Sequence, residues 1–155
     1  MKADGTFLLG PSLAILTKAY VGVLSKKLEN MDIDRYFTVL LLLGKSKTPC
    51  TQQQLADTIG VDKVAMVKIM DYLAKKKYIL REQNPSDRRE YHVLLTEKAQ
   101  AALPPIYKAV EDTNKAATAG MNRQETAVFY ATLEKMTENL SLLPSSKMVL
   151  KMKKA

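Results

Sequence analysis

Two helix starts separated by a single glycine constrain this chain more than any other feature. Thr51-Gln52-Gln53-Gln54 is a capping box, in which the threonine hydroxyl accepts from the third amide and the glutamine reaches back. A helix therefore opens here, runs through Leu55, Ala56 and Ile59, and stops at Gly60. Asp62 caps the next helix almost at once, and that helix runs from Lys63 to about Lys76, with Met66, Ile69, Met70 and Leu73 at i, i+3, i+4 and i+7. Helices joined by so short a turn must cross closely, which small Ala56 permits. Leu55, Ile59, Val61, Met66 and Ile69 then fill the wedge between them. The pattern fits a helix-turn-helix and also an ordinary helical hairpin.

The period then changes from helical to alternating. Tyr78 to Glu82 and Tyr91 to Leu95 are strand candidates around the turn Asn84-Pro85-Ser86-Asp87. A hairpin directly after the second helix is a wing, and it favours the helix-turn-helix. Its tip, Ser86-Asp87-Arg88-Arg89, puts two adjacent arginines on a protruding turn, where they suit phosphate contact or a narrow minor groove.

The flanks are helical. Residues 12–28 form one helix with Ser12 as cap, and Asp34 caps a short helix from Arg35 to Leu43, closed by Gly44 and apolar all round, hence a core element. Thr96 caps a further helix that Pro104-Pro105 should kink or restart and Gly120 should end. Asn122 to Glu125 is another capping box. The final helix carries Phe129, Leu133, Met136, Leu140 and Leu143 at alternating spacings of four and three, and Pro144 stops it. Such heptad-like spacing is a seam for a partner helix, and a second copy of the chain is the expected partner. Apolar Phe7, Leu8 and Leu9 join that expected interface.

Composition bears on partners. Lys and Arg total 24 against 16 Asp and Glu, a formal charge of +8, which favours an anionic partner such as nucleic acid. The lone Cys50 excludes an intramolecular disulfide and fits a reducing compartment. No apolar run of membrane-spanning length occurs and the N-terminus lacks a signal-peptide pattern, so the expected location is the cytoplasm. With one cysteine and one histidine, His92, neither a metal cluster nor a nucleophile–base pair can be assembled from those types. No enzyme activity, catalytic residue, metal or cofactor is expected. Cys50 is read as a structural thiol, Glu111-Asp112 as helix surface, and Met66 and Met70 as core filler.

From Thr51 to Thr96 the chain resembles the DNA-binding core of the MarR (multiple antibiotic resistance regulator) family. The residues carrying the resemblance are Thr51 to Ala56, Gly60-Val61, Asp71-Tyr72-Leu73 and Asn84 to Arg89, with the wing spacing D-x-R-x5-L-T intact through Leu95-Thr96. The resemblance implies a mainly α fold with a small β-hairpin wing. It implies a homodimer formed by helices from both termini, each winged helix binding half of a pseudo-palindrome in double-stranded DNA. In many members a small, often aromatic and anionic, effector releases the DNA. Two departures are local: Lys77 stands where members usually have Gly in a left-handed cap, and Ala99 where they often have Gly.

The chain is thus expected to be one unit. Residues 1–33 and 104–143 are dimerisation helices, 34–103 a winged helix-turn-helix, and 144–155 a basic tail. If Met66, Ile69, Met70 and Leu73 face the core, then Lys63, Val64, Val67, Lys68 and Asp71 face the groove or its rim. Val64 and Val67 cannot hydrogen-bond base edges but can pack on thymine methyls, so an A·T-leaning site is expected. DNA contact is assigned to Thr51, Gln52, Lys63, Val64, Val67, Lys68, Ser86, Arg88 and Arg89, and support of the wing tip to Asp87. Dimerisation is assigned to Phe7, Leu8, Leu9, Phe129, Leu133, Met136 and Leu140. The expected function is a transcriptional regulator acting as a repressor. The alternatives are a winged-helix protein-interaction subunit and a regulator blind to small ligands.

Overall fold

A computed structural model describes residues 2–3, 6–33, 35–84 and 87–144, and of residues 2–3, 6–7 and 87–89 the backbone alone. The elements follow as β1 (Lys2–Ala3), β2 (Thr6–Phe7), α1 (Leu9–Lys27), α2 (Phe37–Lys45), β3 (Cys50–Thr51), α3 (Gln52–Ile59), α4 (Lys63–Lys75), β4 (Ile79–Asn84), β5 (Asp87–Leu95), α5 (Glu97–Ala117) and α6 (Arg123–Ser141). This is the expected mainly α fold with a β-hairpin wing.

The helix-turn-helix forms as its caps dictate. Thr51 Oγ1 accepts from the Gln54 amide at 3.2 Å while Gln54 Oε1 accepts from the Thr51 amide at 2.8 Å. Gly60 closes α3 in the left-handed conformation at φ +76°, and Asp62 Oδ1 accepts from the Ala65 amide at 2.8 Å. α4 ends with Lys77 at φ +60°, while the Lys77 amide donates to Ala74 O and the Tyr78 amide to Leu73 O, the two bonds of a Schellman motif. Here a lysine adopts, at some cost, the conformation a glycine takes without strain. Thr96 locks the far side of this turn: its hydroxyl donates to Lys77 O at 2.7 Å and accepts from the Ala99 amide at 3.2 Å, capping α5 as expected.

β4 and β5 pair antiparallel from Ile79↔Leu95 to Gln83↔Tyr91, with an irregularity at Asn84 where the wing turns. Both strands run longer than the expected segments. β3 pairs with β5 through Cys50↔Val93 and Thr51↔His92, making a three-stranded sheet in the order β3-β5-β4. Sequence patterning misses β3 because two residues cannot show alternation. It also misses the β1–β2 pair, Lys2↔Phe7 and Ala3↔Thr6.

Several expected boundaries are corrected. α1 begins at Leu9, so Ser12 is not its cap. Pro11 falls in the first turn, where its missing N–H would have had no helical partner anyway. α2 begins at Phe37 without a side-chain cap and runs through Gly44 to Lys45, and Asp34 lies outside the described residues. Gly44 is there for clearance rather than termination: a Cβ would stand 2.7 Å from Leu103 Cδ1 and 3.0 Å from the Tyr107 hydroxyl of α5. α5 continues through Pro104 and Pro105. The carbonyls left without those two amides belong to exposed Gln100 and Ala101, which water can satisfy, while buried Ala102 and Ile106 hold the helix down on either side. The same helix ends at Ala117, ahead of Gly120, and α6 ends at Ser141, so Leu143 lies beyond it.

One hydrophobic cluster extends from Leu24 and Leu28 of α1, through α2 to α4, to Ile106 and Ala109 of α5. Met66, Met70 and Leu73 are fully enclosed, each contributing about 1.5–3 kcal/mol relative to exposure. α6 contributes no buried residue.

Candidate nucleic-acid interface

The buried stripe of α4 determines what its other face offers. With Met66, Ile69, Met70 and Leu73 enclosed, Lys63, Val64, Val67, Lys68 and Asp71 are all exposed, as the helical period requires. Val64 is 66% exposed, an apolar side chain in water on a face where nothing among the described residues covers it. Thr51 and Gln52, at the start of α3, are half-buried. A recess of about 230 Å3 opens between the N-terminal ends of α3 and α4 and strand β5, and it brings Thr51, Gln52 and Lys63 together with Glu90 and Tyr91.

The wing rises beside this face. On its backbone, Asp87, Arg88 and Arg89 open β5. Their side chains, and the whole of Ser86, lie outside the described residues. At the wing's base Arg81 Nη2 meets Asp71 Oδ1 of α4 at 2.7 Å. The exposed stripe of α4 therefore carries an acid already engaged by a strand residue. Sequence reasoning placed Asp71 but missed Arg81, because the contact joins two elements with different periods.

The far end of α4 is tied down by charge and aromatic contacts. Lys76 Nζ meets Asp32 Oδ2 at 2.6 Å, the Tyr72 hydroxyl lies 3.5 Å from Asp32 Oδ1, and the rings of Tyr36 and Tyr72 meet edge-on at 5.1 Å. The hydrogen bond from Lys76 holds the Asp32 carboxyl below its ordinary value, and the same bond raises Lys76. Lys98 Nζ stands 4.1 Å from the centre of the Tyr78 ring and donates to Lys76 O at 2.9 Å. These contacts tie the end of α4 to the α1–α2 turn and to α5.

The residues assigned to dimerisation are more open. Leu8 is half-buried and Leu9 is 50% exposed, while Phe7 is described in its backbone alone, within β2. Phe129, Leu133 and Met136 are half-buried, and Leu140 is 60% exposed. Cys50 packs part-buried, its thiol 3.1 Å from Ser46 Oγ. Among the described residues no group of three His, Cys, Asp or Glu could hold a metal ion, and no helix is long and apolar enough to cross a membrane.

Residues 33–90 match the model of the MarR family. The fold is similar to that of a MarR transcriptional regulator from Methanosarcina mazei Go1, at 23% identity over 87% of this chain and 98% of that one, with a TM-score of 0.79. Wild-type MarR from E. coli in its apo form is similar at 25% identity over 84% and 97%, with a TM-score of 0.69. A Listeria monocytogenes protein described as a MarR-family transcriptional regulator, solved with 26mer DNA, is similar at 20% identity over 87% and 89%, with a TM-score of 0.80. The chain thus carries a segment that matches the MarR family model, set in a fold similar to that of solved MarR-family regulators.

Proposed function

We propose that the protein is a sequence-specific double-stranded DNA-binding transcriptional regulator, a repressor, that acts as a homodimer on a pseudo-palindromic site. The observation that carries this is the exposed stripe of α4, Val64, Val67 and Lys68, standing beside a two-stranded wing on a protomer of charge +8. A helix enters the major groove with such a face, and a wing reaches the adjoining minor groove. The Listeria relative, solved with 26mer DNA, supports DNA as the partner. Lys63, Lys68, Arg88 and Arg89 are assigned to phosphates, Val64 and Val67 to thymine methyls, and Thr51, Gln52 and Ser86 to the backbone near the start of α3 and the wing tip, with Asp87 holding that tip.

The dimer is assigned to α6 and the N-terminal segment. α6 repeats an apolar residue at heptad spacing yet buries none of them in its own protomer. An aromatic or anionic effector is carried over from the family resemblance. A shift in melting temperature with a panel of phenolic acids would support that part, and a flat panel would leave a ligand-blind regulator.

Selection from random duplex DNA tests the whole proposal. Two A·T-leaning half-sites about 10 base pairs apart, centre to centre, are expected. Enrichment of nothing would remove DNA binding in favour of a protein-interaction role, and a single asymmetric half-site would remove the dimer. Arg89→Ala should weaken binding and lower the salt slope by roughly 1 to 2, at about 0.9 per phosphate contact in each protomer. Lys115→Ala, distant on α5, should do neither.

A further inference from the structure

Val64, Val67, Lys68 and Asp71 follow one another along the exposed face of α4. A carboxylate thus stands on the stripe proposed to enter the groove of a polyanion, where, left alone, it would oppose binding. Arg81 Nη2 holds Asp71 Oδ1 at 2.7 Å, with the side chains 34% and 61% exposed. Arg81 pairs with Val93 in the wing, so its side chain leaves the sheet on the same face as buried Val93, the face turned toward α4. The ion pair therefore closes the corner between recognition helix and wing.

That corner has a defined counterpart on DNA. With α4 in the major groove and the wing at the adjoining minor groove, what lies between them is a phosphate backbone. A guanidinium carries five donors in a fixed fork, so one given to Asp71 leaves others for phosphate oxygens. An unanchored arginine at this exposed site would have to give up its rotamer freedom on binding.

We propose that Arg81 is a phosphate-contacting residue at the corner between α4 and the wing, and that Asp71 is its positioning residue. The proposal rests on the DNA-binding function above. It inverts the elementary electrostatic expectation for Asp71: removing a carboxylate from a DNA-facing helix should tighten binding, whereas removing the anchor of Arg81 weakens it.

The test uses the full chain and a labelled duplex carrying the site that the wild-type protein enriches from random DNA. Affinity is measured across a salt series for wild type, Asp71→Asn, Arg81→Ala, the double variant and Asp71→Glu. Arg81→Ala is expected to lower the magnitude of the salt slope by roughly 1 to 2 per dimer. Asp71→Asn is expected to lower it in the same direction and to weaken binding by up to about fivefold per protomer, the range for an exposed ion pair. The double variant should be no weaker than Arg81→Ala, because the two residues act as one unit. Asp71→Glu, which keeps the carboxylate, should lie nearer wild type than Asp71→Asn, a rescue that a change in stability alone would not follow. Asp71→Asn binding as tightly as wild type or tighter, or losses that add in the double variant, would overturn the proposal alone. A wild-type protein that binds no duplex in a salt-dependent way overturns DNA binding and this proposal with it.

Discussion

α4 and α6 carry nearly the same apolar spacing, and the protomer treats them in opposite ways. Met66, Ile69, Met70 and Leu73 of α4 are at most 6% exposed. Phe129, Leu133 and Met136 of α6 remain half-buried and Leu140 is 60% exposed. The difference lies in what surrounds each stripe. α4 is gripped by α3, β4 and the aromatic contacts at its C-terminal end, so its apolar face completes the core and its remaining face is held rigidly outward. α6 follows the Gly120 turn and, among the described residues, has none that is fully buried. An apolar stripe tells that a helix needs a cover; it does not tell whether the cover belongs to the same chain.

The largest effect expected from this contrast is on α4. Met70→Ala empties a fully enclosed position and should destabilise the protein by about 2–5 kcal/mol in urea unfolding. Met136→Ala, in the same chemical series, should cost far less within an isolated protomer. Equal losses at both positions, independent of protein concentration, would break the comparison.

Next comes the interface itself. Leu133→Glu combined with Met136→Glu places two carboxylates in the proposed seam, where burying an unpaired charge opposes association. Sedimentation should change from dimer to monomer while far-ultraviolet dichroism stays helical. A variant that still sediments as a dimer would take the interface away from α6.

A smaller change sharpens the account of how α4 ends. Lys77→Gly relieves the left-handed strain at φ +60° but adds freedom to the unfolded chain, so a net gain of about 0.5–1 kcal/mol is expected from denaturant midpoints. A loss would mean that the lysine side chain makes a contact that outweighs the strain.

The smallest effect concerns the tether of α4 to the α1–α2 turn. The folded Asp32 carboxyl lies below its ordinary value because Lys76 donates to it. The sign follows: this contribution is present above the unfolded carboxylate value and is lost as pH falls through the lower, folded value. The Lys76 ammonium, raised by the same bond, keeps it intact until strongly alkaline pH. Asp32→Asn should therefore lower stability slightly at neutral pH and change it little in strong acid, which flattens the acid limb of the stability profile. Nuclear magnetic resonance titration of the Asp32 carboxyl checks the direction.

What was legible in the sequence was local chemistry. The caps at Thr51, Asp62, Thr96 and Asn122 all form as their residue types require, because each joins atoms three residues apart. The left-handed conformation at Gly60 and the exposed stripe of α4 follow from equally short-range rules, whereas that at Lys77 was implied only by the family resemblance. What only the tertiary structure decided joins distant parts of the chain. Gly44 stands inside its helix where an added Cβ would crowd the side chains of Leu103 and Tyr107. Pro104 and Pro105 stay inside α5 because buried neighbours anchor it on both sides. β3 exists because β5 offers an edge to pair with, and Asp71 finds Arg81 because the wing folds back beside α4. Local bonds are specified by residue type at fixed spacing, whereas these depend on which surfaces packing brings face to face. A spacing rule carries no record of that.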